Sequence, residues 1–222
     1  MKSRRIIIAL TILACFIMIS WIRIKEAASS IIYEIPTISD EIDVDGRLTE
    51  PCWSDACIIE EFYRTEDGSP TSINARVLAL FNGESLIFGF DLPTMVSENK
   101  PKQCYLSDEY DHRRVPNDTI TPDPKHHHGV YYKFVIDPQG RKQDLRVDDE
   151  SWTTPWTSRT VQEDGRFSAE VRIPVNKISC QPMEGRFWGF NISFSETVGK
   201  ETYHTTPMDI KTSNAENFGR LL

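Results

Sequence analysis

INARVLALFNGESLIFGFDL, residues 73–92, decides the fold class. Residues 73–81 and 85–92 are two runs rich in apolar and aromatic side chains, and Asn82-Gly83 stands between them. Asn-Gly accepts the positive φ angles of a tight reverse turn, so the stretch predicts a β-hairpin. The same grammar recurs downstream. Residues 158–163 and 166–173 flank Asp164-Gly165, a second hairpin signal. In the later run Phe167, Ala169, Val171 and Ile173 share one face, while Arg166, Ser168, Glu170 and Arg172 share the other. Residues 130–137 place Val130, Tyr132, Phe134 and Ile136 on one side, with a turn at Pro138-Gln139-Gly140. Residues 187–195 do the same with Trp188, Phe190, Ile192 and Phe194. Residues 31–38 predict an edge strand interrupted by Pro36.

Period two therefore runs through the body, and helical turns fit only around 48–57 and 174–179. A sheet with one apolar face must bury it against another layer. The prediction is an all-β, two-sheet antiparallel sandwich of immunoglobulin or jelly-roll type. Residues 93–129 break the pattern. They are polar and dotted with prolines, and they hold Asp108, Glu109, Asp111, Asp118, Asp123 and His126 to His128. A connection this long in a compact domain is usually functional or mobile.

The chain has 222 residues, with 39% hydrophobic and 26% charged, enough for one domain with a real core. Its formal charge is −8, although Lys2, Arg4, Arg5, Arg23 and Lys25 make the first 30 residues basic. The rest is more acidic still and repels phosphate backbones, which argues against nucleic acid as a partner.

Residues 1–30 predict an export signal. Residues 2–5 are basic, residues 6–22 are apolar, and Ala27 to Ser30 are small. A retained signal anchor, tethering the chain through residues 6–22, is a serious alternative. Either way residues 31–222 form an extracytoplasmic domain: secreted, periplasmic or held at the membrane. The body holds Cys52, Cys57, Cys104 and Cys180. An even count outside the cytoplasm permits two disulfides with three pairings, for instance Cys52 with Cys57 and Cys104 with Cys180. Buried free thiols fit as well.

Six segments, in order, resemble the carbohydrate-binding module family 9-like (DOMON-like) group. Residues 42–56, IDVDGRLTEPCWSDA, resemble its opening "V-D-G-x-L-x-E-x-x-W-x-x-A". Ala75 to Leu78 with Leu86 to Phe90 resemble its hairpin. Tyr132 and Phe134 through Gly140 and Asp144 resemble "Y-x-F-x-x-x-x-x-G-x-x-x-D". Phe167 to Pro174 resemble "W-x-x-E-x-x-I-P", with Phe167 in place of Trp. Trp188 to Asn191 resemble "W-G-x-N", and Phe218 to Leu221 resemble the closing "F-G-x-L". Two departures stand out. Residues 117–124, NDTITPDP, look shortened where the family has a longer carboxylate-bearing strand, and Tyr203-His204 replaces a Trp before the close.

The resemblance implies noncatalytic recognition of an oligosaccharide or polysaccharide, with structural calcium as a possible cofactor. Aromatic rings suit sugars because a pyranose presents a C–H face, while its hydroxyls need directed partners. The leading candidates are Trp152 and Trp156 in SWTTPW, followed by Tyr131, Arg76 and Asn191. Trp156 could equally pack over a sheet edge, and Arg76 and Asn191 could be plain structural groups. Asp118, Asp123, His126 and His128 are candidate metal ligands, although adjacent residues of an extended chain diverge. Calcium would prefer the carboxylates near Asp108–Asp118. The sequence has no nucleophile elbow, phosphate loop or zinc-protease motif, which argues against an enzyme. Two rival readings are a haem-binding electron-transfer domain drawing on His204, Met95, Met183 or Met208, and a surface-interaction domain without a small ligand.

Overall fold

The computed structural model describes residues 32–93, 118–123, 131–146, 148–149, 151–178, 188–195, 202–205 and 219–221. In chain order the strands are β1 (Ile32–Tyr33), β2 (Cys57–Ile59), β3 (Phe62–Arg64), β4 (Pro70–Thr71), β5 (Arg76–Phe81), β6 (Ser85–Pro93) and β7 (Asp118–Asp123). They continue as β8 (Tyr132–Ile136), β9 (Lys142–Arg146), β10 (Thr157–Glu163), β11 (Arg166–Pro174), β12 (Trp188–Ser195), β13 (Thr202–His204) and β14 (Gly219–Leu221). One sheet has the order β10-β11-β6-β5-β2. The other runs β4-β3-β13-β12-β7-β8-β9, with β14 on β12 and β1 parallel to β14.

Both predicted hairpins form. β5 and β6 pair from Phe81↔Leu86 to Arg76↔Asp91, and β10 and β11 from Glu163↔Arg166 to Thr157↔Arg172. Asp164 and Gly165 have φ of 51° and 73°, the two positive angles of a turn whose twist matches its strands. Phe167, Ala169, Val171 and Ile173, with Phe88 and Phe90 beside them in the same sheet, share one core with Phe134, Phe190, Ile192 and Phe194 of the other sheet. Phe88 of one sheet stacks on Phe190 of the other, with ring centroids 5.6 Å apart. Burying each such side chain contributes ~1.5–3 kcal/mol, which makes this interior the main source of stability. Short 3-10 turns occupy Pro51–Asp55 and Val175–Lys177, within the two segments expected to turn.

The structure decides three points the sequence left open. Residues 31–38 form no single edge strand. Ile32 and Tyr33 join the nine-stranded sheet, whereas Pro36 and Ile38 bond to Phe81 at the end of β5. The segment looked shortened at 117–124 contributes all six residues of β7, paired with β12 over its whole length. Pro122 lies beyond Ile120, the last residue of β7 paired with β8, where a missing ladder donor costs least. Cys52 and Cys57 are free thiols. Cys57 packs toward the inter-sheet core and Cys52 joins a separate cluster, so the five-stranded sheet separates them. Cys104 and Cys180 lie outside the described residues.

That second cluster explains why residues 76–90 are apolar on both faces. Ile42, Cys52 and Trp53 are buried against Leu78, Leu80 and Ile87, with Leu48 and Ile38 alongside. Residues 38–56 thus form a strap across the outer face of the five-stranded sheet, adding a third layer. Gly89 admits it: a Cβ there would stand 2.6 Å from Leu48 Cδ2 and 3.1 Å from the Trp53 ring.

Candidate functional site

The predicted site residues do not converge on one place. Trp152 and Trp156 lie in the connection from β9 to β10, at one end of the sandwich. Trp156 is only 5% exposed. Its Nε1–H donates to Asp144 Oδ1 at 3.0 Å, and Thr154 N–H donates to Asp144 Oδ2 at 2.7 Å. Lys142 Nζ stands 4.9 Å from its ring centroid. Phe134 meets the Trp156 ring edge-on at 5.3 Å. Trp156 therefore offers no ring face to a ligand, because the core and Asp144 consume the whole side chain. Trp152 differs. It is half-buried, with its ring 4.8 Å from Tyr132 and its edge toward Phe134. Among the described tryptophans it alone is not buried.

Tyr131 is half-buried, and its parity opposes the core-facing Tyr132. Lys133 Nζ lies 5.8 Å from its ring; burial lowers the Lys133 pKa and raises that of Tyr131. Asn191 is buried in β12, where its Oδ1 accepts from Thr205 Oγ1 at 3.2 Å. Thr205 Oγ1 in turn accepts from Ile192 N–H at 3.0 Å, so Asn191 ties β12 to the residue after β13 and does not face solvent. Of the candidate metal ligands, Asp118 and Asp123 occupy β7 positions, and His126 and His128 lie outside the described residues, as does most of Asp108–Asp118. His204 sits at the end of β13, and Met95, Met183 and Met208 lie outside the described residues.

The second region is the outer face of the five-stranded sheet. Glu170 points away from the core on β11 and is fully buried beneath the strap. Its Oε2 accepts from Asp45 N–H at 2.8 Å and Gly46 N–H at 2.9 Å, and its Oε1 from Trp53 Nε1–H at 3.1 Å. Gly46 has φ of 90°, and a Cβ there would press on Arg159 and Val161 at 3.1 Å. Burial pushes the Glu170 pKa up to about 7, against the pull of the Gly46 and Asp45 N–H groups. Asp45, Glu50 and Glu170 bring carboxylate oxygens within 4.8 Å of one another. The Trp53 N–H lies between two of them, because it also donates to Glu50 Oε2 at 3.1 Å. The trio is thus already bridged by the protein's own donors, and Glu170 acts as the clasp that holds the strap down.

Beside the clasp lies an open cleft of about 250 Å³, lined by Arg47 and Leu48 of the strap and by Arg76, Asp91, Val161, Glu163, Arg166 and Ser168 of the sheet. Both Nη atoms of Arg47 bond to Glu163, at 3.1 and 2.8 Å. Asp91 accepts from two guanidiniums: Arg76 Nε at 3.1 Å and Arg166 Nε at 2.8 Å. Arg166 also bonds to the Asn74 and Asp91 carbonyls, which fixes its plane. Ser168 Oγ donates to Gly46 O at 2.7 Å and binds the floor to the strap.

No family model matches the sequence, and no curated protein matches it. Solved structures do. A carbohydrate binding module family 9 (CBM9) from Caldicellulosiruptor kristjanssonii in complex with cellotriose covers 86% of this chain and 92% of its own, with a TM-score of 0.62 at 14% identity. The fold is CBM9-like. The same organism's CBM9 in complex with glucose gives a TM-score of 0.59 at 14% identity over 85% of this chain and 94% of its own. A candidate carbohydrate-binding protein from Bacteroides uniformis gives 0.58 at 10% identity, over 86% and 97%.

Within this CBM9-like sandwich, Arg76 is the one predicted residue that lines the cleft. Arg47, Asp91, Glu163 and Arg166 were not singled out. Their signal was parity: Arg166, Ser168, Glu170 and Arg172 alternate with core residues along β11, so a polar stripe was visible without its partners.

Proposed function

We propose that this domain is a noncatalytic glycan-binding module that acts outside the cytoplasm. The observation that supports the reading best is the likeness, over more than four-fifths of the chain, to CBM9 modules in complex with cellotriose and glucose. Those neighbours are binding modules, which favours recognition without turnover. Trp152 is the proposed ring platform; Tyr131, whose parity puts it on the other side of the sheet from the Tyr132 ring that Trp152 packs on, is a separate aromatic candidate. A pyranose C–H face laid on the open part of the Trp152 ring would bury apolar area on both partners. Export through residues 1–30, by cleavage or as a tether along residues 6–22, would bring the module to extracellular polysaccharide. Calcium is proposed only as a structural ion.

A panel of neutral oligosaccharides, titrated with and without calcium, tests the reading. Binding without release of shorter sugars is the expected result. Folded protein that binds no saccharide would oppose it and favour a surface-interaction role.

A further inference from the structure

The cleft on the five-stranded sheet lies away from Trp152, and its chemistry differs. Three arginines line it against two carboxylates, in a chain whose formal charge is −8. Arg47 and Glu163 balance each other, whereas Asp91 alone answers both Arg76 and Arg166. Arg166 is fully engaged and fixes Asp91. Arg76 gives Asp91 its Nε and one Nη, and its side chain remains 46% exposed. One guanidinium edge is therefore held in place and turned to solvent. Leu48 and Val161 supply apolar surface between the two ion-pair groups. The acidic trio under the strap lies beyond Ser168, bridged by backbone N–H groups and Trp53.

We propose that this cleft is a second saccharide site that selects an acidic sugar unit, a uronic acid. The ring lies on Leu48 and Val161, and its carboxylate meets Arg76. Asp91 and Glu163 accept from ring hydroxyls, and Arg47 donates to them. A preset guanidinium suits a carboxylate because it gives paired, charge-assisted hydrogen bonds in one plane. Such bonds typically change affinity by about tenfold or more. The inference rests on the glycan-binding reading but concerns a separate face of the molecule.

Glucuronate and glucose make the matched test, since they differ only in a carboxylate for a hydroxymethyl group. The full-length chain is titrated with each by calorimetry, and the wild type is compared with Arg76→Ala and Trp152→Ala. Arg76 is exposed, so its removal leaves the core intact, and an unchanged melting curve checks this. Glucuronate should bind about tenfold or more tighter than glucose, and Arg76→Ala should abolish that preference while Trp152→Ala keeps it. Added 150 mM acetate should compete weakly, because it lacks the ring. Equal affinities for the two sugars, a preference untouched by Arg76→Ala, or full displacement by acetate would each overturn the acidic-sugar site. Neutral oligosaccharide binding with no response to glucuronate would defeat this site alone, whereas silence toward every sugar would defeat the glycan-binding reading itself.

Discussion

The β9–β10 end and the strapped face of the five-stranded sheet use tryptophan in similar ways, yet differ in what they leave to solvent. Trp156 gives its indole N–H to Asp144, and Trp53 gives its own to Glu170 and Glu50. Both rings are buried. At the β9–β10 end, the tryptophan left half-buried is Trp152. On the strapped face, what remains open is a row of charged groups fixed by one another. A buried tryptophan with its N–H satisfied is a packing element wherever it lies; binding chemistry must be sought in what it leaves beside it.

The largest expected effect breaks the first region. Trp156→Ala should cost ~3–5 kcal/mol in a urea melt, because it opens a cavity and strips Asp144 of a donor. Loss below ~1 kcal/mol would mean that the ring is not in the core. Glu170→Ala is the matching break in the second region. It orphans the Asp45 and Gly46 N–H groups, leaves the Trp53 N–H with Glu50 alone, and should cost about 1–3 kcal/mol. Hydrogen exchange should then speed up across residues 38–56 while the β5–β6 hairpin stays protected. Gly89→Ala attacks the same contact from beneath. Its Cβ would collide with Leu48 and Trp53, and overpacking of this kind costs ~1–3 kcal/mol.

A pH series sharpens the comparison. Glu170 has a folded pKa of about 7 against an ordinary value of 4.5. The folded chain therefore binds more protons than the unfolded one between those values. Its contribution to stability is whole below pH 4.5 and declines as pH rises toward 7. Glu170→Gln should flatten that part of the curve, and an unchanged slope would show that another group is responsible. The smallest effect is expected for Arg76→Ala, whose exposed ion pair should shift stability by no more than ~0.5 kcal/mol.

Much of the fold was legible because strand parity is local. The turns Asn82-Gly83 and Asp164-Gly165, and the alternation from Phe167 to Ile173, each need only neighbouring residues to be read. The place of β7 was less legible, since Pro122 resembles a strand breaker until β8 is seen to end its pairing at Ile120. The site was legible only in outline. Sequence alone placed Glu170 on the outward face, but Asp45 and Trp53 stand more than 115 residues before it, and nothing local announces that they converge. Trp156 and Trp152, four residues apart in one turn-rich stretch, were both leading candidates, with packing over a sheet edge weighed for Trp156 alone. Phe134, Asp144 and Lys142 decide between them.

Calorimetric titration of cellotriose into wild-type protein and into Trp152→Ala tests the central claim most directly. Saturable heat from the wild type, intact trisaccharide recovered afterwards, and affinity reduced about tenfold or more by the substitution are predicted. Equal binding by both proteins would remove Trp152 as the platform, and a wild type that folds but yields no heat with any saccharide would contradict the account.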